Sequence, residues 1–277
     1  MIRVIVSGIC GRMGSRVARA IAASDDLSLV GGVEASGHDM TGRSLCGLRD
    51  GAVLEVPVRP RLSDLEPSSY DVIVDFSVPA QALACARAAA AAEAKGLVIG
   101  TTGLSVEEIG EIRRASERCA IVLAPNASVG MNVLFGLVRR TSEILDRTYD
   151  VEIVETHHSA KRDAPSGTAA RLAEIVCEAR GLDPRGDVSV GRSGRDAVRR
   201  AGEVGVHSVR GGAVVGQHVV RFISDLEEIT VAHEAFSRDA FAGGAAAAAR
   251  FVARQPPGLY DMLDVLALKG GGREASP

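Results

Sequence analysis

Five stretches in the first half of the chain are nearly unbroken apolar runs: IRVIVSG (2–8), LSLVGGVE (27–34), DVIVDFS (71–77), LVIGTTG (97–103) and AIVLAPN (120–126). A strand with one face in water alternates apolar and polar residues, whereas a strand covered on both faces reads as a continuous Val/Ile/Leu run. Between these runs lie helical patterns at 12–24, 79–95 and 105–119. Strands buried on both faces and joined through helices predict a doubly wound α/β domain with a parallel sheet. The alanine-rich CARAAAAAEAK (85–95) reads as an ordinary helix, because alanine is the strongest helix former and Pro79 and Gly96 bound the run. AGGAAAAARFVA (242–253) is read the same way.

The pattern changes after a long helical segment at about 130–147. VEIVETHH (151–158) is extended, a helix begins near Gly167, and EVGVHSVRG (203–211), AVVGQHVVRFIS (213–224) and LEEITVAHEAF (226–236) read as three successive strands. Gly211-Gly212 predicts a hairpin between the first two. Strands without intervening helices make an antiparallel or mixed sheet, hence a second domain of α+β type. GDVSVGRSGRDAVRR (186–200) is expected as a mobile loop with solvated arginines, which would otherwise serve an anionic ligand. A final helix from about 239 has the composition to pack on either domain.

A length of 277 residues leaves room for one large or two modest domains. The net charge of −3 speaks against a nucleic-acid surface or a polybasic membrane face, and leaves small molecules as the expected partners. Five cysteines, odd in number and without a CxxC pair, predict reduced thiols and a cytoplasmic setting. The N-terminus lacks a signal-peptide profile, and no apolar run approaches the roughly 20 residues that span a bilayer.

Between the first strand and the first helix lies GICGRMG, with Gly8, Gly11 and Gly14. Glycine there allows a tight turn and lets a pyrophosphate approach the free N–H groups at a helix N-terminus. The GxxGxxG spacing is less specific than its position, after a strand and opening a helix. Glu34 ends the second run, where a Rossmann-like dinucleotide fold places an acid on the adenosine ribose. Ala35-Ser36-Gly37 follow it without a cation, so a 2′-phosphate would face a carboxylate, and NADH is expected to be preferred over NADPH. Arg12 in the glycine turn would soften that preference. Two further loops, Gly100-Thr101-Thr102-Gly103 and Ala124-Pro125-Asn126-Ala127-Ser128-Val129-Gly130, follow apolar runs; their Thr and Asn side chains suit either a ribose or carboxamide, or a plain helix cap.

The segment ETHHSAKRDAPSGTA (155–169) concentrates ionisable groups. It does not suit a metal: the histidines are adjacent, HExxH spacing is absent and no cysteine is near. Nor does PSGT match the GxSxG elbow of a nucleophilic serine. Anion recognition fits better. Ser166 or Thr168 caps the following helix, the N–H groups of its first turn form a cradle, and Lys161 adds a positive charge, which together suit a carboxylate-bearing substrate. In an extended chain His157 and His158 point to opposite faces. Histidine supplies a proton donor near neutral pH, or the pair satisfies backbone groups without further role.

GICGRMG, VIGTTG, APNASVG and ETHHSAKRDAPSGTA, in this order, together with HSVRGG (207–212), VGQH (215–218) and GLYDMLDVL (258–266), resemble the dihydrodipicolinate reductase family. The resemblance covers nearly the whole chain. It implies NAD(P)H-dependent reduction of 4-hydroxy-tetrahydrodipicolinate, a cyclic dicarboxylate of the diaminopimelate route to lysine. It also implies a cofactor domain from 1–128 plus 239–277, a substrate-binding and oligomerisation domain from 129–238, and a homotetramer built through the central sheet. The implied catalytic residues are His157 and Lys161, with His158, Gly167 and Thr168, beside the Ser166 cap, as substrate contacts. Gly8, Ile9, Cys10, Gly11, Arg12, Met13, Glu34, Gly100, Thr101, Thr102 and Ala124 to Ala127 are the implied cofactor contacts. Ala35 departs from members that use NADPH well, which often carry arginine there.

Overall fold

The computed structural model describes residues 1–46, 55–92 and 96–269. In chain order, β1 (Ile2–Ser7), α1 (Gly14–Ala22), β2 (Leu27–Val33), β3 (Ser44–Leu45), β4 (Val56–Arg59), β5 (Val72–Asp75) and α2 (Pro79–Ala91) come first. Next are β6 (Gly96–Ile99), α3 (Val106–Ala115), β7 (Ala120–Leu123), α4 (Val129–Ile144), β8 (Asp150–His157), α5 (Gly167–Arg180) and β9 (Val188–Val190). β10 (Val204–Arg210), β11 (Gly216–Ile223), β12 (Glu228–Ala235), α6 (Asp239–Val252), β13 (Gly258–Tyr260) and α7 (Met262–Val265) complete the described strands and α-helices. The last residues of the helix expected over 79–95, 93–95, lie outside the described residues. Two compact units form: Met1–Val129 with the segment from Arg238 onward, and Gly130–Ser237. Among the described residues, no helix is long and apolar enough to cross a membrane.

The first unit holds a sheet of order β13-β7-β6-β5-β1-β2-β4-β3, parallel except where β3 meets β4. Alternation along its strands explains why the apolar runs are unbroken. Val4, Val6, Val72, Val74, Val98 and Val122 pack with α1 and with the buried alanines of α6. Ile5, Ile73, Leu97, Ile99 and Ile121 pack with Ala82, Ala86 and Ala89 of α2 and Ile112 of α3. Each such side chain contributes about 1.5–3 kcal/mol on burial. The final helix, α6, belongs to this unit. Its small residues allow close approach: a Cβ on Gly244 would collide with the Ala127 carbonyl. The strand order reverses around β1, so the C-terminal ends of β1 and β5 mark the switch point where ligands of such sheets bind.

The central unit holds a mixed sheet of order β12-β11-β8-β10-β9. β8 and β9 run parallel to β10, while β11 is antiparallel to β8 and β12. The hairpin expected at Gly211-Gly212 is therefore absent, because β8 lies between β10 and β11. Residues 211–215 cross the end of β8, a distance of roughly two 4.8 Å strand spacings, which no two-residue turn spans. The crossing is held down where Gly211 N–H donates to the His157 carbonyl (3.0 Å) and the Gly212 carbonyl accepts from Ser159 N–H (3.2 Å).

The arginines of 186–200 are also not simply solvated. Part of this segment is β9, paired with β10. Arg192 bridges Glu152 (2.8 Å) and Glu203 (2.5 Å), Arg199 pairs with Glu152 and Asp150, and Arg200 meets Glu203 at 3.1 Å. Glu203 is buried, and a buried carboxylate needs such partners.

Candidate active site

At the C-terminal ends of β1, β2, β5 and β6 the first unit opens into a cleft of about 560 Å³. Gly8, Gly11, Arg12, Met13, Glu34, Gly100, Thr101 and Thr102 all line it. Gly8 has φ +74°, and a Cβ there would lie 2.5 Å from the Phe76 carbonyl oxygen. A Cβ on Gly14 would collide with the Gly8 carbonyl, so α1 starts directly against the turn. The first turn of α1 carries no acid and no side-chain cap, so no side chain of its own neutralises the positive end of the helix, although Ser15 N–H already donates to the Gly11 carbonyl (3.0 Å). The Glu34 carboxylate accepts from Cys10 N–H and Ala35 N–H, both at 3.0 Å, which pins the acid across the mouth of the glycine turn. A dinucleotide fits these features, with its pyrophosphate on the turn and its ribose hydroxyls on Glu34.

Not every cofactor residue implied by the sequence uses its side chain here. Ile9 is fully buried in the core, and the loop from Ala124 to Ala127 is not among the residues lining this cleft. The Asn126 side-chain Oδ1 accepts from Ser128 N–H at 3.0 Å. Thr101 donates to Asp75 (2.5 Å) and accepts from Ser77 N–H (2.9 Å), while the Ser77 hydroxyl holds the other Asp75 oxygen at 2.5 Å. Asp75 is fully buried beneath the cleft, and burial raises its pKa against the pull of these donors.

In the central unit one sheet face changes character along its strands. Val151, Ile153, Val204 and Val206 are buried on the two strands that pack against α5, and Val220 and Phe222 of β11 are buried across from Ile153 and Val151. Two residues further on, the strand register places Glu155 opposite His218 and His157 opposite Arg210. Glu155 is fully buried and accepts both prongs of the Arg210 guanidinium (2.8 and 2.7 Å), His157 Nδ1 (2.5 Å) and Ser166 N–H (3.1 Å). Burial opposes its charge, but Arg210, Ser208, His157 and the Ser166 N–H outweigh burial and hold its pKa down at about 2. His157 is pushed below the usual histidine value, chiefly by burial, with Glu155 acting the other way.

His218 meets the His157 ring edge-to-face at 5.3 Å, and its Nε2 lies 3.3 Å from Ser166 Oγ. Burial pushes His218 down to about 4. Ser166 is itself buried, and its hydroxyl caps α5 by accepting from Ala169 N–H (3.2 Å). Gly167 is exposed, and a side chain there would meet nothing within 4 Å, so the start of α5 is open to a ligand. Lys161 Nζ donates to both oxygens of Asp163 at 2.8 Å. His158, directly after β8, is half-buried.

The family model described as the N-terminus of dihydrodipicolinate reductase matches residues 2–127, and the model of its C-terminus matches 130–266. The chain belongs to the dihydrodipicolinate reductase family. It is 42% identical over 271 residues to the 4-hydroxy-tetrahydrodipicolinate reductase of Anaeromyxobacter dehalogenans, covering 98% of this chain and all of that protein. The enzyme of the same name from Methanothermobacter thermautotrophicus is 43% identical over 274 residues, covering 97% of this chain and all of its own. In fold, the reductase is similar to a dipicolinate-bound dihydrodipicolinate reductase from Paenisporosarcina sp. TG-14, with TM-score 0.75 and 24% identity over 95% of this chain and 98% of that one.

Three ionisable residues of the reductase escape a local reading of its sequence: Asp75, Arg210 and His218. Glu155 had a legible signal. It falls on the same alternating face as Val151, Ile153 and His157, and an acid on an otherwise apolar face requires a buried partner.

Proposed function

We propose that this reductase uses NADH to reduce 4-hydroxy-tetrahydrodipicolinate, by way of dihydrodipicolinate, to tetrahydrodipicolinate in the diaminopimelate route to lysine. The observation that carries the reading is the Glu155 carboxylate that joins His157 to the start of α5, with Arg210 linking it to the loop that holds Lys161, in a chain over 40% identical to enzymes of that name along nearly its full length. The substrate is a cyclic dicarboxylate. Its carboxylate is assigned to the N–H groups of Gly167 and Thr168, with His158 and the Ser166 cap beside them. A reduced nicotinamide held at the glycine cleft would supply hydride for C4 of the unsaturated ring, and His157 or Lys161 would protonate the resulting enamine. An ionised Glu155 only accepts, so His157 carries its ring hydrogen on Nδ1 and exchanges the catalytic proton through Nε2. Gly216 keeps that nitrogen accessible, since a Cβ there would lie 3.1 Å from it.

The cofactor reading assigns Gly8 to Met13, Glu34, Gly100 to Thr102 and Ala124 to Ala127 to the dinucleotide. Preference for NADH over NADPH is supported by the Glu34 carboxylate, with Ala35 and no cation next to it in sequence. Residues 1–128 plus 239–277 take the cofactor role and 129–238 the substrate and assembly role. A homotetramer through the central sheet is supported by Val209 and Ile229 exposed on its strands and by Phe236 just beyond β12. Five free thiols accord with a cytoplasmic setting. The test is NADH absorbance with enzymatically generated hydroxytetrahydrodipicolinate, repeated with NADPH, with light scattering for the assembly. Absence of NADH oxidation sinks the reaction assignment, and an advantage of about tenfold or more for NADPH, about 1.4 kcal/mol, sinks the preference.

A further inference from the structure

The ion pair Glu155–Arg210 reaches the histidine, the helix start and the loop that carries Lys161. Glu155 meets His157 Nδ1 and Ser166 N–H with the same carboxylate that Arg210 grips by two prongs. Arg210 Nη2 also donates to the Asp163 carbonyl at 2.6 Å, and Asp163 holds Lys161 through its side chain. The histidine, the lysine loop and the helix start follow one another within 157–167, and Arg210 reaches them from β10.

We propose that Glu155 and Arg210 are the positioning residues of this site, holding the histidine proton donor, the lysine loop and the carboxylate-binding helix start in one fixed arrangement. The proposal rests on the reductase reading above and adds to it the device that keeps the three groups in register. A side chain that served only to fill the core would not need four converging donors. Positioning of this kind acts by keeping donor and substrate in a near-attack geometry and by fixing the tautomer of the histidine. Glu155 on its own strand, Arg210 on β10, His218 on β11 and Lys161 on the following loop are the charged or titratable groups that face His157. Of these, Glu155 alone favours the imidazolium.

The test compares full-length wild type with Glu155→Gln and Arg210→Lys. Glutamine keeps the shape but cannot accept from Nδ1–H through its amide nitrogen, and lysine keeps the charge but not the fork. The expected result for Glu155→Gln is a kcat at least about tenfold lower. The alkaline limb of the kcat–pH profile should also move to lower pH by about half a unit or more, because the remaining neighbours disfavour the imidazolium. NADH affinity should not change. Arg210→Lys should raise the substrate KM and lower kcat together. If either variant does not fold, the wild type decides by nitrogen NMR of labelled histidine, with His157→Gln for assignment: neutral His157 must carry its hydrogen on Nδ1. An Nε2–H tautomer, or folded Glu155→Gln with an unmoved pH limb, overturns the proposal while leaving the reductase reading in place. Failure of that reading looks different: the wild type does not oxidise NADH, or His157→Gln keeps full kcat.

Discussion

The glycine cleft and the His157 cluster occupy equivalent places in their sheets, each at the C-terminal ends of parallel strands and at the start of a helix, yet they are built by opposite means. In the cleft the chemistry is backbone: Gly8 turns with positive φ, Gly14 lets α1 begin against the turn, and the acid Glu34 is pinned by N–H groups. In the cluster the chemistry is side chain: a fully buried carboxylate, its arginine and two histidines, contributed by β8, β10 and β11. The first site should be broken by adding an atom, and the second by removing one.

The largest effect is expected from removal. His157→Gln or Lys161→Ala should lower kcat by about 10² to 10⁴, the usual contribution of a positioned proton donor. NADH affinity, measured by fluorescence titration, should stay within about twofold of wild type, since the two sites share no side chain. A parallel loss of NADH affinity would break the distinction between them. The complementary experiment adds one carbon. Gly14→Ala places a methyl on the Gly8 carbonyl, and overpacking of this kind costs about 1–3 kcal/mol. Urea unfolding should show that loss, and NADH binding should weaken by about tenfold. Retained stability and affinity would mean that the turn can shift aside.

Buried charge also gives the second site a pH signature that a backbone site lacks. His218 is held down to about 4 by burial, against an ordinary value of 6.5. Below pH 6.5 the unfolded chain therefore takes up a proton that the folded chain refuses, and stability falls as pH drops toward 4. The loss should be about 2 kcal/mol between pH 6.5 and pH 5. Glu155, held at about 2, titrates below this window. His157 is depressed in the same direction and adds to the slope. Unfolding free energies at the two pH values should converge in His218→Phe by about 2 kcal/mol relative to wild type. An unchanged slope would remove His218 from the account.

The same contrast decides what was legible in the sequence. A backbone site leaves its mark locally, so GICGRMG after an apolar run, and Glu34 at the end of the next, could be read without a structure. The unbroken runs likewise reported a sheet covered on both faces, and PSGT reported a helix start. Charge networks leave no local mark. Arg210 lies 55 positions from Glu155, and His218 lies 52 from Ser166. Their meeting depends on β8 lying between β10 and β11. Gly211-Gly212 suggested a hairpin because glycine pairs serve tight turns and strand crossings equally. The arginines of 186–200 looked solvated because Glu152 and Glu203, which neutralise them, come from β8 and from the residue just before β10. Asp75 read as the end of a buried strand: Ser77 stands two residues on, but Thr101, the other hydroxyl that closes on it, lies 26 positions away.

The smallest expected effect concerns which cofactor the backbone site accepts. Glu34 already spends both carboxylate oxygens on Cys10 and Ala35 N–H groups, so its charge is fixed at the place where the adenosine ribose is assigned. A 2′-phosphate there meets like charge, and the residue after Glu34 is the nearest in sequence from which a cation can answer it. Ala35→Arg keeps the backbone N–H that Glu34 uses and adds only a guanidinium, the side chain best matched to a phosphate. It should raise kcat/KM for NADPH by about tenfold while changing that for NADH by less than about threefold. Because the substitution alters charge without crowding the turn, it separates the two ways of breaking this cleft. An equal gain for both cofactors would place the arginine on the pyrophosphate instead of the ribose, and no gain would mean that Arg12, which lines the same cleft, already neutralises the extra phosphate.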